Sequence, residues 1–572
     1  MINKIDYPAT LLCDFYKTSH VQQYPLGTEK IYSTWTARTS RKDGIDKVVC
    51  FGLQGFIQDF LITYFNDNFF NRPLEEIVGE YTRVMHNALG IKDVVVQHII
   101  ELHELGYLPI QIKAVREGIE VPIKVPMLTI ENTHPKFFWV TNFLETLMSC
   151  QLWQPMTSAT ISKNYRRILD EYALQTTGST EGVAFQGHDF SMRGMSSLES
   201  AKTSGAGHLL NFCGTDTIPA ILYLEKNYGA NIEKELVGSS IYATEHSVQC
   251  AYGEEDEILT YKRLINEIYP TGFVSIVSDT WDFWRVVTDY LPRLKSDIMS
   301  RNGRVVIRAD SGNPVDIICG TAFVEDIDVE SLEDLEHLAK DEAWDYFCDN
   351  NSEEEINFYY NLNGKIYKAH CTAEYTSERG GYTDNKYYIL DDVDINIEEW
   401  ELTPEEKGLI QCLWEIFGGT INELGYKVLD THIGAIYGDA ITVERCRAIC
   451  EKLAAKGFAS TNTIYGIGSF SFQYTTRDTF GFALKSTYAI VDGEERALFK
   501  NPKTDNGIKK SQKGLVYVSQ NNNGDIVYVD GLNSEEYNKL DQKNNMLELV
   551  FKDGELIRKQ TLKDIRNILS EQ

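Results

Sequence analysis

Residues 305–314 read VVIRADSGNP. A β-branched apolar run stops at Arg308 and Asp310, and a Ser-Gly-Asn-Pro turn follows. That order predicts a buried strand feeding a turn. The same rhythm recurs after about residue 160, in VAFQGHDFSMRG (183–194), LLNFCGTDTIP (209–219), SSIYATEHS (239–247), VSIVSDTWDFW (274–284), HIGAIYGDAI (432–441) and NTIYGIGSFS (462–471). Strand–turn–helix units in series imply an α/β fold with a parallel sheet. Repeated many times, with a polar residue closing each strand, they suggest a (β/α) barrel with ligands on the face of the strand ends. A doubly wound open sheet is the rival that periodicity alone leaves standing.

The flanks read differently. FGLQGFIQDFLITYF (51–65) has helical spacing of apolar residues, and FFWVTNFLETLMSCQLW (137–153) reads as a mostly buried helix. PIQIKAVREGIEVPIKVPMLTIEN (109–132) alternates apolar and polar residues between Pro and Gly, which predicts short antiparallel strands. GLVYVSQNNNGDIVYVDG (514–531) and LELVFKDGELIRK (547–559) give strand and hairpin signals near the C-terminal end. The expected organisation is a mixed N-terminal part (1–160), a barrel domain (161–481) and a C-terminal β part (482–572). The two ends then share one discontinuous, largely antiparallel β domain.

An insertion is expected at 321–407, inside the barrel domain. It carries 25 Asp and Glu against 6 Lys and Arg, in a chain whose net charge is −29. VESLEDLEHLAKDEAWDYF fits an acidic helix, and INFYYNLNGKIYKAHC fits a hairpin turning at Asn363-Gly364. A small α+β insertion with a solvated acidic surface is the favoured reading; a loop after a barrel strand that shapes substrate access is the other.

The 572 residues suffice for two or more domains. The acidic balance argues against sequence-independent nucleic-acid binding, which needs basic surface to displace counter-ions. It leaves room for a phosphorylated small substrate in a local basic pocket. The 11 cysteines include no CxxC pair, and Cys446 and Cys450 stand at helical spacing. They read as reduced, mostly buried thiols, without a second Cys/His cluster that would make a zinc site. No apolar stretch approaches the roughly 18 residues of a membrane span, so a cytoplasmic protein is expected.

The polar residues at the predicted strand ends are His188, Asp189, Arg193, Asp216, Glu245, His246, Asp279, Arg308, Asp310 and Asp439. Gly214, Gly438, Gly466 and Gly468 accompany them. Glycine lets backbone N–H groups approach a phosphate, arginine grips phosphate oxygens in pairs, and carboxylates hold Mg²⁺ or accept from amides and ribose hydroxyls. Each also has a plainer role: an Asp before Gly or Ser as a turn or N-cap residue, a histidine as a structural hydrogen-bonding group. Residue chemistry alone reaches an α/β enzyme for a phosphorylated substrate, without naming metal ligands.

The order of motifs goes further. DFYKTSHVQQYP (14–25), HDFSMRG (188–194), GTDT (214–217), TEHS (244–247), SDTWD (278–282), RADSGNP (308–314), GDA (438–440) and TTRD (475–478) stand in the order found in nicotinamide phosphoribosyltransferases. PIQIKAV and FKNP (499–502) fit as well. The sequence resembles that family over most of its length, the acidic insertion excepted. The resemblance implies the type II phosphoribosyltransferase fold, an α/β barrel with a second, largely β domain, acting as a homodimer with shared active sites. It implies formation of nicotinamide mononucleotide and pyrophosphate from nicotinamide and phosphoribosyl pyrophosphate, with Mg²⁺, and with ATP hydrolysis coupled through a phosphohistidine. A nicotinate phosphoribosyltransferase and a catalytically silent binding protein on the same scaffold are the alternatives.

By the same resemblance Phe190 stacks on the pyridine ring and Tyr16 comes from the other subunit. Asp216 accepts the nicotinamide amide and repels nicotinate. Arg193 and Arg308 line the pyridine and ribose phosphate region, where Asp310 also stands. Asp14, Gly438, Asp439 and Gly468 complete the substrate-binding set. His246 matches the phosphorylated histidine, with Asp279 orienting its ring and Glu245 beside it. Arg38, Arg477 and Lys485 match a basic group for the phosphates of pyrophosphate or ATP. Ser469 and Phe470 replace expected glycines, and Ala483 replaces a serine, which bears on the strength of ATP coupling.

Overall fold

The structure is a computed structural model and describes residues 7–350, 353–379, 386–500 and 512–572; Asn501 and Pro502 of FKNP lie outside them. Two compact units divide the chain: Met1–Ile168 with Glu181–Ser240 and Gly466–Gln572, and Leu169–Thr180 with Ile241–Tyr465.

In the first unit the alternation of Ile110–Ala114 does what period two dictates. Ile110, Ile112 and Ala114 are buried while Gln111 and Lys113 are not. The strand joins an antiparallel sheet in the order Glu494–Ala497, Ala483–Val491, Thr28–Thr36, Pro126–Asn132, Ile110–Ala114, Glu548–Lys552, Glu555–Leu556. Both ends of the sequence therefore meet in one sheet. Its core includes Trp35, stacked on Phe482 with ring centroids 5.4 Å apart. A separate antiparallel pair, Leu515–Gln520 with Ile526–Leu532, is the hairpin expected at 514–531.

Helix boundaries depart from the expectation. The run at 137–153 breaks into Pro135–Phe137, Val140–Phe143 and a helix that starts at Glu145 and continues to Thr177. The continuation is rich in hydroxyls at first and then buries a stripe at helical spacing, Ile161, Tyr165, Ile168, Leu169 and Tyr172. Thr157 and Thr160 satisfy their hydroxyls on the carbonyls of Trp153 and Met156, each at 2.7 Å. LLNFCGTDTIP is likewise mostly not a strand. Leu209, Leu210 and Phe212 are buried at the end of the helix Leu198–His208, and only Gly214–Thr215 pairs, in parallel with Gly187–Asp189.

In the second unit, Tyr242–Ala243, Thr271–Val277, Asn302–Ala309, Ile433–Tyr437 and Thr463–Ile467 lie side by side and parallel, in that order, as a curled half-barrel sheet; the last strand runs out of the unit at Gly466. The opening stretch explains its own fold. Val305, Val306 and Ile307 are buried, the strand ends at Ala309, and Gly312 turns the chain at φ +92°. Asn313 Oδ1 then accepts from Val315 N at 3.1 Å and caps the helix Pro314–Cys319.

The acidic segment is an ordered α+β element. Val324–Asp326, Glu355–Leu362, Lys365–Arg379 and Lys386–Glu399 form a four-stranded sheet under the helix Leu332–Asp349. Asn363 (φ +55°) and Gly364 (φ +82°) make the hairpin turn. Leu335, Phe347, Tyr360, Cys371 and Val393 give it a core of its own. It branches off at Gly320, after the helix that follows the Arg308 strand, and not from the strand-end turn. At this neck Lys456 Nζ donates to the carbonyls of Cys319 (2.6 Å), Lys407 (3.0 Å) and Ala322 (3.3 Å).

Candidate active site

Three groups of the expected residues are drawn together, two in the first unit and one in the second. The first group stands at the end of Gly187–Asp189. Asp189 is buried, its Oδ1 accepts from Ser191 N at 2.9 Å, and its carbonyl accepts from Asp216 N at 2.9 Å. These bonds fix the turn that presents His188, Phe190 and Asp216. His188 Nε2 lies 2.9 Å from Asp216 Oδ1, and Ser240 Oγ donates to the same oxygen at 2.6 Å. The His188 and Phe190 rings lie 4.7 Å apart. Asp216 is 47% exposed, so its carboxylate still faces solvent. The arrangement offers an aromatic face beside a held carboxylate, which suits a flat ring bearing an N–H donor.

Arg193 sits in the turn Met192–Gly194. Gly194 leaves room for Ser469: a Cβ there would fall 2.1 Å from Ser469 Oγ. Ser469, one of the two departures from glycine, thus fills a space that Gly194 vacates. Phe470, the other, stacks on Tyr474 at 5.1 Å, while Gly468 borders open space.

The second group lies at the strand ends of the second unit. Glu245 precedes the helix His246–Tyr252 and accepts from the Ser247 hydroxyl. His246 is 47% exposed; its Nδ1 lies 3.0 Å from Thr280 Oγ1 and its Nε2 3.9 Å from Asp310 Oδ2. Asp279 faces the other way. Its Oδ2 accepts from Asp310 N at 3.0 Å and from Ser311 Oγ at 2.6 Å, and its Oδ1 is buried without a hydrogen-bond partner among the described residues. Thr280, not Asp279, thus meets the His246 ring. Arg308 Nε lies 3.4 Å from Asp310 Oδ1. Gly438 makes this contact possible, since a Cβ there would fall 1.9 Å from the same oxygen. Asp439 stands near enough, with Asp279 and Asp310, to push the Tyr437 phenol upward, second to burial. Among the described residues no three His, Cys, Asp or Glu side chains converge as a ready-made metal cage. Of these, Asp279, with its buried Oδ1, and Asp310 are the carboxylates that could hold a cation.

The third group is in the first unit. Asp14 Oδ2 accepts from Thr146 Oγ1 at 2.8 Å, and Tyr16 is exposed with Lys17 Nζ 4.9 Å from its ring. Lys17 itself is buried and paired with Glu145. Lys485 stands opposite Thr34 in the sheet, 3.7 Å from Glu145. Burial lowers the Lys485 pKa first, and Arg38, Lys17 and Arg477 lower it further while Glu145 opposes them. Arg38 is lowered by burial and by Arg477. The three expected phosphate-binding cations therefore stand near enough to repel one another.

The chain matches the family described as Nicotinate phosphoribosyltransferase (NAPRTase) over residues 185–347 and 397–555. The chain belongs to this family. Residues 9–112 of this phosphoribosyltransferase also match the Nicotinamide phosphoribosyltransferase N-terminal domain. Nicotinamide phosphoribosyltransferase of Acinetobacter baylyi is 44% identical over 570 residues, 98% of this chain and 96% of the relative. That of Xanthomonas campestris is 30% identical over 565 residues, 97% and 96% of the two chains. In fold, this phosphoribosyltransferase resembles the crystal structure of nicotinate-nucleotide pyrophosphorylase from Pyrococcus furiosus, with a TM-score of 0.51 at 13% identity over 100% of this chain and 97% of that one.

Sequence reasoning missed Lys17, Glu145, Ser240, Thr280 and Ser311. Lys17, Ser240, Thr280 and Ser311 all lie inside the motif stretches, and Lys17, Thr280 and Ser311 adjoin candidate residues there. Glu145 opens a helix in no motif, and only its ion pairs distinguish it.

Proposed function

We propose that this phosphoribosyltransferase joins nicotinamide to phosphoribosyl pyrophosphate in NAD salvage. The observation that carries the reading is Asp216, gripped by His188 and Ser240 beside Phe190, with its side chain still 47% exposed. A carboxylate there accepts from an amide NH₂ and opposes the carboxylate of nicotinate. The names of the relatives at 44% and 30% identity support the same substrate.

In this reading the pyridine nitrogen attacks C1′ of the ribose, the C1′–oxygen bond breaks, and pyrophosphate leaves with the electron pair. Phe190 and the partner subunit's Tyr16 sandwich the ring. Arg193, Asp14, Asp439, Gly438 and Gly468 position sugar and phosphate, and Arg308 holds Asp310 where positive charge develops at C1′. Arg38, Arg477 and Lys485 hold the departing phosphates. Mg²⁺, when bound, would neutralise charge on the pyrophosphate, and Asp279 and Asp310 are the carboxylates that would hold it. His246, with Glu245 beside it, takes the terminal phosphoryl group of ATP as ADP leaves, and water later removes that group as phosphate. The proposal includes a homodimer, the closed type II barrel with its second β domain, and a cytoplasmic setting. Among the described residues no helix is long and apolar enough to cross a membrane.

The test is mononucleotide formation from phosphoribosyl pyrophosphate and Mg²⁺ with nicotinamide or nicotinate, with and without ATP. Product from nicotinamide alone is expected, with an ATP dependence that His246→Ala removes. Product from nicotinate alone overturns the substrate, and product from neither moves the chain to a binding role.

A further inference from the structure

The Tyr16 turn and the cationic group share one carboxylate. Lys17 is 3% exposed and pairs with Glu145, which is 22% exposed. Thr146, the next residue, donates to Asp14 at 2.8 Å. The start of the long helix thus grips the turn that carries Tyr16 from both sides. The other Glu145 oxygen lies 3.7 Å from Lys485, a longer and looser contact to a side chain that is 43% exposed. Arg38, Arg477 and Lys17 all act on Lys485 as like charges. Besides Glu145, the carboxylate seen among these cations is Asp478, 3.5 Å from Arg477.

We propose that Glu145 is a shared counter-ion: it anchors the Tyr16 turn through Lys17 and competes with phosphate oxygens for Lys485. This rests on the reading of Tyr16 as a ring contact and of Lys485 as a phosphate contact given above. The two contacts differ in what a ligand can displace. The Lys17 pair is buried, and separating it leaves an uncompensated charge. The Lys485 contact is long and wet, so a polyphosphate with several oxygens replaces one carboxylate oxygen readily. A neutral side chain at 145 then has opposite effects on the two ligands. The turn loses its anchor, and the pyridine ligand binds more weakly. The cationic group loses its resident anion, and the phosphate ligand binds more tightly.

The experiment is calorimetric titration of the full chain with nicotinamide and, separately, with inorganic pyrophosphate. In Glu145→Gln the nicotinamide Kd should rise and the pyrophosphate Kd should fall, each by about five- to tenfold. The exchange Lys17→Glu with Glu145→Lys retains the buried pair if the single variant fails to fold. It should return nicotinamide affinity to near the parent value while pyrophosphate stays tighter, because a cation now stands beside Lys485. Both affinities falling together, or neither moving by more than twofold, overturns the proposal. Tyr16→Ala and Lys485→Ala separate the causes. If they weaken nicotinamide and pyrophosphate respectively, such a result condemns the shared counter-ion alone. If they change neither, the underlying assignment of these residues fails and the proposal falls with it.

Discussion

The insertion sets Asp392 3.2 Å from Lys340 and Glu399 2.7 Å from Lys365, with all four side chains about half exposed. The strand ends of the same unit set Asp279 against the Asp310 N–H and the Ser311 hydroxyl, and Asp310 against Arg308, with far less water around them. Both regions are rich in carboxylates. In the first, these two acids each meet a flexible lysine in high dielectric, an arrangement worth about 0–1 kcal/mol. In the second, Asp279 holds the turn through the Asp310 N–H and the Ser311 hydroxyl, and Asp310 stands beside an arginine that is 11% exposed. Carboxylate density does not mark the site; what each carboxylate is made to hold does.

The sharpest way to break that contrast is a pair of matched substitutions. Asp310→Ala should lower kcat/KM for mononucleotide formation by about 10²-fold or more, the scale of losing one placed electrostatic group. Asp392→Ala in the insertion should change it less than twofold. Similar losses from both would show that the insertion reaches the chemistry. Next in size is Asp216→Ser, measured as the ratio of kcat/KM for nicotinate to that for nicotinamide. Removing the held carboxylate should raise this ratio by about 10- to 100-fold, as expected when one polar contact discriminates between ligands. An unchanged ratio would move selectivity away from Asp216.

Much of this was legible in the sequence because the strand-end motifs are local. VVIRADSGNP contains its strand, its turn residues and its helix cap within ten positions, so reading it needed no tertiary information. Asn363-Gly364 announced its hairpin for the same reason. The long helix from Glu145 was not legible beyond residue 153. Pro155 and the hydroxyls of Thr157, Ser158 and Thr160 interrupt the apolar pattern before it resumes at Ile161. The second layer was equally hidden. Thr280 and Asp279 are neighbours, and only three-dimensional placement shows which of them meets His246. Glu145 could not be chosen without knowing that Lys17 is buried.

Glu257 supplies a third setting for a carboxylate. It is buried at the start of the helix Glu257–Arg263, with Oε1 unpartnered among the described residues. Burial raises its pKa to about 7, with Arg285 opposing and Asp282 and Glu254 adding to the rise. A carboxyl raised in the folded state contributes its stability below the unfolded value near 4.5, and loses it as pH climbs through about 7. Glu257→Gln should therefore be close to neutral at pH 4 and stabilising at pH 8, by about 3 kcal/mol, since the rise from 4.5 to about 7 is worth about 1.4 kcal/mol per pKa unit. Denaturant midpoints at the two pH values check the sign. Destabilisation at pH 8 would mean that the ionised carboxylate has a partner worth more than its burial costs.

The smallest expected effect comes from the largest change. A Cβ on Gly408 would fall 2.8 Å from the Gly320 Cα, so the two ends of the insertion are near the spacing of one peptide bond. Both glycines have φ +82°, which lets the strands of the neck pass at this distance. The family match also skips 348–396, inside the insertion. Removing 321–407 and joining Gly320 to Gly408 should leave KM and kcat within about twofold, because the insertion's core is its own and its attachment lies beyond the helix that follows the Arg308 strand. Lys456 would keep only the Cys319 carbonyl of its three acceptors. Its ammonium, already lowered to about 8 by burial, would then be freer to lose its proton, so a modest fall in Tm is expected below pH 8, where the under-bonded charge persists, and it should shrink as pH rises above 8. Loss of activity with the fold intact would instead give the acidic sheet a part in the reaction, and the contrast between the two regions would have to be drawn elsewhere.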